Sequence, residues 1–440
     1  MLLTPSIAKA KLFQVISDAE KHVNDFVHNP GRDMTRHRDC AFSDTILATL
    51  SFSMNRTNTE LFRFFSSAQK HIPSKSAFCQ QRKKLNGRLF PHLLKSFYDA
   101  FPVSNKYRGY TLMAVDGSDI NLPVDKKDFV YRVKMARSNN YYYQMHLNAL
   151  YNICDNRFHS IVIQPRPEMN ENAAFFQLID ESDFDLKTIF IADRGYLSLN
   201  TLAHLIERNK LFLIRAKSPS SSGSFLVHLV EPDRETDKLI TIGITRSQKN
   251  IYVKNPHAFK FIRKDRIFEP IPPQDHDSVY FMTLRIVCLQ LDNGNYEYLV
   301  TNLPADEFSI SDLKILYHKR WRIETSFRSL KYAVSLVYLH SVNRELIIQE
   351  IYAKLILYNF ASLLHACAEK ERKTRNSKTK HSYRVSFDDT IPVAQSLLMR
   401  NIMNKKVKAL LLRHLTSIRD SVSKPRFVRS QSAKPLNNRA

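Results

Sequence analysis

Glycine is scarce in this chain, which has 8 glycines in 440 residues. Loops that hold phosphate groups through backbone amides need several glycines at fixed spacing, and neither a Walker-type loop nor a dinucleotide-binding fingerprint is present. Cysteine is also sparse: the five cysteines are widely spaced and no two form a C-x-x-C pair. This pattern is typical of buried free thiols in a reducing compartment, and it indicates neither a zinc site nor a disulfide framework.

Long apolar runs are absent as well. No uninterrupted stretch of about 18 apolar residues occurs, so we predict no transmembrane helix. The N-terminal segment lacks the apolar core of a signal peptide and carries acidic residues early. We therefore expect a cytoplasmic protein with no membrane partner. Hydrophobic residues still make up 43% of the chain, which is enough to bury a core.

Acidic residues are in deficit, because 42 Asp and Glu stand against 66 Lys and Arg and leave a formal net charge of +24. Such a surplus costs self-repulsion and is usually tolerated where the partner is a polyanion. Nucleic acid is the commonest such partner, and an anionic membrane surface is the alternative. Residues 370–440 alone carry 18 Lys and Arg against 4 Asp and Glu. That segment is typical either of a solvated tail or of non-specific contact with DNA phosphates.

The spacing of apolar residues changes along the chain, and its length of 440 residues is typical of two or three structural units. Residues 1–105 have the apolar spacing of helices. Residues 106–340 combine buried strands and helices, the pattern of an α/β fold, and short alternating strands at about 218–305 indicate a β-rich insertion. Residues 341–440 form a helical region with a basic end.

Two aspartates follow apolar runs. Asp116 comes after TLMAV and Asp193 comes after TIFIA, and both runs are typical of buried strands. The Asp-Gly pair at 116 also favours a turn, and Asp119 is a rival ligand close by. Ligands bind at the carboxyl ends of strands in α/β sheets, where two neighbouring carboxylates repel unless a cation lies between them. Because Mg²⁺ prefers oxygen ligands, the pair indicates a metal site.

A third carboxylate lies in residues 309–336, a stretch without Pro or Gly that we predict as one long helix. On that helix Tyr317, Arg320, Glu324 and Lys331 fall within an arc of about 60°. An i,i+4 ion-pair ladder through Arg320, Glu324 and Arg328 would explain part of this stripe. It would not explain why a tyrosine and a second cation share the face.

These residue types suit phosphoryl transfer. Two divalent ions about 3.5–4 Å apart clamp the attacking and leaving oxygens of such a reaction. Asp116, Asp193 and Glu324 are the predicted catalytic metal ligands. Arginine can bind phosphate through two parallel hydrogen bonds, and lysine acts as a point charge. We expect two Mg²⁺ ions, with Mn²⁺ as the alternative metal.

The spacing Y-x-x-R-x-x-x-E-x-x-x-x-x-x-K that begins at Tyr317 matches the signature of the insertion-sequence-four family of DDE transposases. The Asp-Gly at 116 and the Asp-Arg-Gly-Tyr at 193 resemble that family's first and second acidic motifs. The resemblance covers roughly residues 70–340.

The resemblance implies a ribonuclease-H-like mixed sheet flanked by helices, with a β-rich insertion between the second Asp and the Glu. It also implies an insertion-sequence transposase that binds terminal inverted repeats, cuts through a hairpin intermediate and transfers the strand into target DNA. A homodimer would hold two double-stranded DNA ends, in the cytoplasm of a bacterium. Residues 1–105 would bind DNA, residues 106–340 would form the catalytic core, and residues 341–440 would serve dimerisation or DNA contact.

The resemblance implies that Tyr317, Arg320 and Lys331 contact the DNA end, at its 5′ phosphate. We also predict DNA contacts by Arg328, Arg194 and Tyr298. In some relatives a tryptophan of the insertion stacks on a flipped base. The single tryptophan here, Trp321, lies in the signature helix instead. Tyr298 or Tyr296 would then provide the stacking surface, although both also suit an ordinary strand.

Three other functions share part of this pattern. A silenced or domesticated DNA-binding protein would be expected to lose an acidic ligand, and all three candidates are present. A metal-dependent DNA nuclease would share the carboxylates but would not join a 3′ end to target DNA. A basic protein of a membrane surface would explain the charge, but neither the aspartates after buried strands nor the signature helix.

Overall fold

The protein divides into two compact units in a computed structural model that describes residues 3–35, 40–136, 139–374, 383–399, 403–413 and 415–417. The first unit comprises Met1–Pro102, Ile120–Met145 and Arg328–Ala440, and the second comprises Val103–Asp119 and His146–Phe327. The division predicted from the sequence, at 1–105, 106–340 and 341–440, stays a prediction. Much of the basic segment 370–440 lies outside the described residues.

The helices of the described residues, in chain order, are α1 Pro5–Lys21, α2 Phe42–Ser51, α3 Thr57–Ser67, α4 Lys75–Arg82, α5 Leu89–Asp99, α6 Glu171–Asp180, α7 Leu199–Glu207, α8 Asn250–Val253, α9 Ile310–Lys319, α10 Trp321–Tyr332, α11 Arg344–Thr374, α12 Phe387–Leu398 and α13 Asn404–Leu411. The strands are β1 Thr111–Asn121, β2 Arg132–Lys134, β3 Tyr141–Asn152, β4 Arg157–Pro165, β5 Thr188–Ala192, β6 Leu211–Ala216, β7 Thr236–Thr245, β8 Phe259–Phe261, β9 Val279–Gln290, β10 Tyr296–Thr301, β11 Tyr383–Val385 and β12 Leu415–Ser417.

Helix α11 is the centre of the first unit, where it packs against α1, α2, α5, α12 and α13. Among the described residues it is the helix whose length and composition would allow it to cross a membrane, over Arg344–Arg372. However, 83% of the most apolar 18-residue stretch of this helix is buried inside the protein. The apolar residues are therefore covered by the surrounding helices, as in the core helix of a bundle.

Ionisable side chains are buried along α11. The carboxylate of Glu350 accepts hydrogen bonds from Arg82 Nη1 at 2.9 Å and from the backbone N–H of His340 at 2.9 Å. Burial raises the pKa of Glu350, but the charge of Arg82 together with the hydrogen bonds and charge of His340 outweighs this effect and holds the pKa at about 2. One turn further on, Lys354 donates to the carbonyl of Phe52, and burial lowers its pKa to about 8. The ion pair of Arg82 with Glu350 ties α11 to α4, and the hydrogen bond of Lys354 ties it to the end of α2.

The second unit is built on a large mixed sheet flanked by helices. Its strand order is β3-β1-β5-β6-β10-β9-β7-β8, with β4 paired to β3, and the short β2 pairs with the first residues of β3 in the first unit. Strands β1, β5 and β6 are parallel, whereas β10 runs antiparallel to both β6 and β9. Apolar side chains of α6 and α7 pack with those of β5 and β6 in one core, which includes Phe175, Leu202, Phe190 and Phe212. The mixed α/β sheet predicted from the sequence is thus confirmed.

Residues 218–305 contain the strands β7 to β10 and the short helix α8. They continue the sheet of β5 and β6, because β10 pairs directly with β6. The pairing of β7 with β9 runs over the whole of β7, from Thr236 to Thr245. This stretch therefore extends the same sheet and adds strands at the side away from β1.

Two local predictions were wrong. Strand β1 does not turn at Asp116 and Gly117 but continues beside β3 to Asn121, and the N–H of the following Leu122 still donates to the carbonyl of Tyr143 in β3 at 2.8 Å. The predicted single helix over 309–336 is two helices that meet at Arg320. There the N–H of Arg320 donates to the carbonyl of Tyr317 at 3.0 Å, and the N–H of Ile323 donates to the carbonyl of Arg320. These hydrogen bonds span three residues rather than four, as in a 3₁₀ turn, and they interrupt the α-helix although no Pro or Gly is present.

Candidate active site

Parallel pairing of β1 with β5 brings the two predicted aspartates together. The last register pair of these strands is Val115 with Ala192. Asp116 directly follows Val115, and Asp193 directly follows Ala192. Because the two strands run in the same direction, the residue after one member of a register pair lies beside the residue after the other. The two aspartates are therefore neighbours at one point of the sheet.

Each aspartate is oriented by the backbone of the residue that follows it. Asp116 Oδ1 accepts from the N–H of Gly117 at 2.9 Å. Asp193 Oδ1 accepts from the N–H of Arg194 at 2.7 Å, at the start of a 3₁₀ turn over Arg194–Tyr196. Both carboxylates are half-buried, so each keeps oxygen surface for a ligand.

The junction of α9 and α10 adds three side chains to the aspartates. Arg320, whose side chain is only 3% exposed, donates from Nη2 to Glu324 Oε1 at 2.7 Å, and its Nη1 lies 3.9 Å from Asp116 Oδ2. The hydroxyl of Tyr317 lies 3.3 Å from Asp193 Oδ1, where it donates a hydrogen bond. All five of these predicted residues therefore meet in one place. A capping box of Ser309 and Asp312 starts α9 and determines where this helix begins.

Negative charge is concentrated at this point. Burial raises the pKa of the Asp116 carboxyl to about 6; the charge of Arg320 opposes the rise, and those of Glu324 and Asp193 add to it. Burial also raises the pKa of the Tyr317 phenol, which therefore keeps its proton and can donate. One buried arginine does not neutralise three carboxylates, and the site favours additional positive charge.

The chemistry of the donors fits a hard divalent cation, since three carboxylates offer oxygen ligands of the kind that Mg²⁺ prefers. Across the part of the chain that the structure describes, no three Asp, Glu, His or Cys side chains are gathered tightly enough to hold a metal ion as they stand. At this site the guanidinium of Arg320 lies between Asp116 and Glu324. Arg320 therefore occupies oxygen atoms of two of the three carboxylates in this structure.

The other residues predicted to contact DNA contribute no side chain to the contacts described above. Arg194 is exposed in the turn after Asp193. Arg328, which is exposed, and Lys331, which is half-buried, follow on α10 and belong to the first unit. Tyr298 is 2% exposed, and its hydroxyl accepts from the N–H of Asp233 at 2.8 Å. A side chain so covered has no free ring face, which argues against the predicted stacking of Tyr298 on a base.

A second group of ionisable residues was missed by the sequence analysis. His146 Nδ1 lies 2.6 Å from Asp119 Oδ1, and His146 Nε2 lies 3.3 Å from Glu171 Oε1. Arg166 Nε donates to Asp119 Oδ2 at 3.1 Å. Burial would lower the pKa of His146, but the neighbouring carboxylates of Asp119 and Glu171 raise it to about 9. Asp119, weighed above as a rival ligand, is thus held by two cations.

The sequence signal for this group is weak. A single histidine within the apolar run of β3 is more often an ordinary core residue than part of a site. Glu171 opens α6, where an acidic residue is common because it interacts favourably with the helix dipole. Neither position could be connected with the aspartates before the pairing of β3 with β1 was known.

Comparisons with known proteins give a family. The cryo-EM structure of a piggyBac transposase synaptic complex with hairpin DNA matches with a TM-score of 0.45 and 10% sequence identity, covering 97% of this chain and 88% of that chain. A search of curated protein sequences finds no match. The family model described as the transposase DDE domain matches residues 107–360, which is more than half of the chain. The chain belongs to the family of transposases that carry this DDE domain.

Proposed function

We propose that this protein is the transposase of an insertion sequence, of the insertion-sequence-four type, and that it cuts and joins DNA at Asp116, Asp193 and Glu324. The observation that carries the proposal is the meeting of Asp116 and Asp193, on neighbouring parallel strands, with Tyr317, Arg320 and Glu324 at the junction of two helices. These are the aspartates of both acidic motifs and the tyrosine, arginine and glutamate of the signature. The ribonuclease-H-like nature of the sheet is part of the same proposal.

The proposed chemistry is phosphoryl transfer to water and then to a 3′ hydroxyl. Asp116, Asp193 and Glu324 would hold two divalent cations, Mg²⁺ or Mn²⁺. When bound, such a pair of ions stabilises the attacking and leaving oxygens and lowers the pKa of a bound water. The protein's own part is to orient the carboxylates through the N–H groups of Gly117 and Arg194.

Arg320 and Tyr317 would bind the phosphate group of the DNA end. The guanidinium can exchange the carboxylate of Glu324 for a phosphate, because both accept two parallel hydrogen bonds. The Tyr317 phenol is protonated and can donate to a phosphate oxygen. Arg194, Arg328 and Lys331 would extend this contact along the DNA, and the excess of positive charge on the chain supports a polyanionic partner.

The biological reaction in this proposal is cut-and-paste transposition through a hairpin intermediate. The protein would bind terminal inverted repeats as a homodimer and insert them into target DNA, in the bacterial cytoplasm. Residues 1–105 would serve as the DNA-binding region, residues 106–340 as the catalytic core and residues 341–440 as the region for dimerisation or DNA contact. The family supports a DNA partner, since transposition acts on DNA.

The experiment is cleavage of a labelled duplex carrying the element's own terminal repeat, with Mg²⁺ and with EDTA. The proteins are the wild type, Asp193→Asn and the matched control Asp183→Asn, which changes an exposed aspartate of the loop before β5. We expect nicking at the repeat boundary that needs Mg²⁺, survives in the control and is lost in Asp193→Asn. Tight DNA binding without cleavage by the wild type would instead identify a silenced DNA-binding protein.

A second assay separates a transposase from a nuclease. A pre-cut repeat end with a free 3′ hydroxyl is incubated with Mg²⁺ and a supercoiled plasmid. Joined products identify strand transfer. Nicking of the repeat without any joined product would favour a metal-dependent DNA nuclease over the proposed transposase.

A further inference from the structure

His146 is clamped between two carboxylates in the interior of the second unit. Its side chain is buried, with Asp119 at 2.6 Å on one ring nitrogen and Glu171 at 3.3 Å on the other. Glu171 lies within ion-pair distance of Nε2, but Nε2 has no hydrogen-bond partner among the described residues. The imidazole is therefore held by a hydrogen bond to Asp119 at Nδ1 and by electrostatic attraction to Glu171 at Nε2.

Gly117 is the point where this cluster touches the strand of Asp116. A β-carbon at Gly117 would lie 2.3 Å from His146 Nε2 and 3.0 Å from Glu171 Oε1. A β-carbon at Gly195 would lie 3.5 Å from the other oxygen of Glu171. The imidazole thus packs directly on the backbone after Asp116. The carboxylate of Glu171 reaches from that backbone to the turn after Asp193.

The same two backbone segments orient the aspartates. The N–H of Gly117 donates to Asp116, and the N–H of Arg194 donates to Asp193. A shift of either segment would therefore move the carboxylate that it holds. Glu171 lies against both segments, so it is placed to influence their separation.

Tyr196 supplies an independent observation. Its side chain is 2% exposed, and its hydroxyl has no hydrogen-bond partner among the described residues. Burial raises its pKa, and the negative charges of Glu171 and Asp116 act in the same direction. A buried donor without a partner is costly and is retained where a further group is bound. The hydroxyl is therefore an unsatisfied buried donor within electrostatic reach of Glu171, Asp116 and Asp193.

We propose that Glu171 and His146 are positioning residues that set the separation and orientation of Asp116 and Asp193, and with them the affinity of the site for divalent cations. This inference rests on the proposed function, because it takes the two aspartates as ligands of the cation. Side chains behind metal ligands commonly have this effect, and their loss weakens metal binding by about 10–100-fold.

The test is direct binding of Mn²⁺ to the full-length protein, measured from the electron paramagnetic resonance signal of the free ion. Four proteins are compared: the wild type, Asp193→Asn, Glu171→Gln and Glu181→Gln. The last is the matched control, since Glu181 is exposed at the other end of α6. We expect binding by the wild type and the control, loss in Asp193→Asn, and about 10-fold weaker binding in Glu171→Gln.

Nicking rates provide a second readout. If Glu171 acts only through the geometry of the metal site, saturating Mn²⁺ should return the rate of Glu171→Gln to within about twofold of the wild type. DNA binding should not change in this variant. A merely structural role would instead lower the thermal unfolding midpoint without a specific effect on the metal concentration required.

The outcomes separate the two proposals. Equal Mn²⁺ binding by the wild type and Asp193→Asn would overturn the metal site and the function proposed above. Loss of binding in Asp193→Asn together with wild-type affinity in Glu171→Gln would overturn only the role of Glu171. If Glu171→Gln does not fold, Mn²⁺ binding by Gly117→Ala is measured instead, because the added β-carbon would displace the His146 ring. Wild-type affinity for Mn²⁺ in Gly117→Ala would also overturn the inference.

Discussion

Arg320 and Glu324 are joined by a hydrogen bond of 2.7 Å across the junction of α9 and α10. Their spacing is that of an ordinary i,i+4 ion pair, which on an exposed helix contributes only a few tenths of a kcal/mol, about 0.3–0.5. Here the guanidinium is buried and also faces Asp116 at 3.9 Å. The pair is therefore part of the acidic site, where Arg320 partly offsets the charge of three carboxylates.

Replacing Arg320 by lysine should impair cleavage although the positive charge remains. Lysine cannot make two parallel hydrogen bonds to a phosphate or carboxylate. We expect the single-turnover nicking rate to fall by about 100-fold, the usual cost of removing a donor aimed at developing charge. The control is Arg322→Lys, since Arg322 is exposed and donates to the backbone carbonyl of Ile153 rather than to a carboxylate of the site. A rate close to that of the wild type would exclude a phosphate contact by Arg320.

Replacing Glu324 by glutamine should abolish cleavage and leave DNA binding largely intact. The amide has the size of the carboxylate but lacks its charge, so it is a poor ligand for a divalent cation. Binding is measured by mobility shift of a terminal-repeat duplex and cleavage by product yield. Glu168→Gln, at an exposed position, serves as the control. Retained cleavage in Glu324→Gln would remove this residue from the mechanism.

Replacing Glu350 by glutamine should destabilise the first unit. The change leaves Arg82 buried without its counter-charge, which costs about 3 kcal/mol or more in the free energy of unfolding. The control is Glu345→Gln, because Glu345 pairs with His28 at a partly exposed position and such pairs contribute little. Urea unfolding of the two variants and the wild type at pH 7 measures the difference.

Acid should remove the contribution of Glu350. Its folded-state pKa of about 2 lies below the usual value of 4.5, so the stabilisation is fully present above that usual value and is lost as the pH falls through about 2. The difference in stability between the wild type and Glu350→Gln should therefore shrink between pH 5 and pH 2, estimated from the two pKa values. A difference that stays constant over this range would mean that folding does not lower the pKa of Glu350.

Removing residues 418–440 should flatten the salt dependence of DNA binding. This segment carries six Lys and Arg and one Asp. If all six cations contact phosphates, the slope of log K against log salt should become shallower by about 5. Truncation at this point spares α12, whose apolar residues pack on α11. An unchanged slope would show that the segment does not touch DNA.

Much of the fold followed from local sequence patterns. The apolar run TIFIA is buried throughout as β5, and Asp193 directly follows it, as predicted. The end of β1 was misplaced because Asp-Gly is a turn signal that strand pairing overrides here. The break at Arg320 could not be predicted, since neither Pro nor Gly marks it.

The environment of each side chain was harder to predict. Side chains along a strand point alternately to the two faces of the sheet, and the sequence does not show which face is covered at Tyr298. The structure buries it against Asp233. His146 and Glu171 lie far apart in the sequence, and only the arrangement of β3, β1 and α6 brings both against Gly117.

The sequence by itself determined the residue types and the local order of the site: two aspartates that directly follow apolar runs, and a tyrosine, arginine and glutamate at the spacing of a helix face. These features depend on neighbours a few residues apart, which is the range of backbone hydrogen bonding and side-chain periodicity. Only the tertiary structure decided that Asp116 stands beside Asp193, that Arg320 lies between Asp116 and Glu324, and that a buried histidine supports the strand. Those relationships depend on strand register and helix packing, which join segments that the sequence keeps far apart.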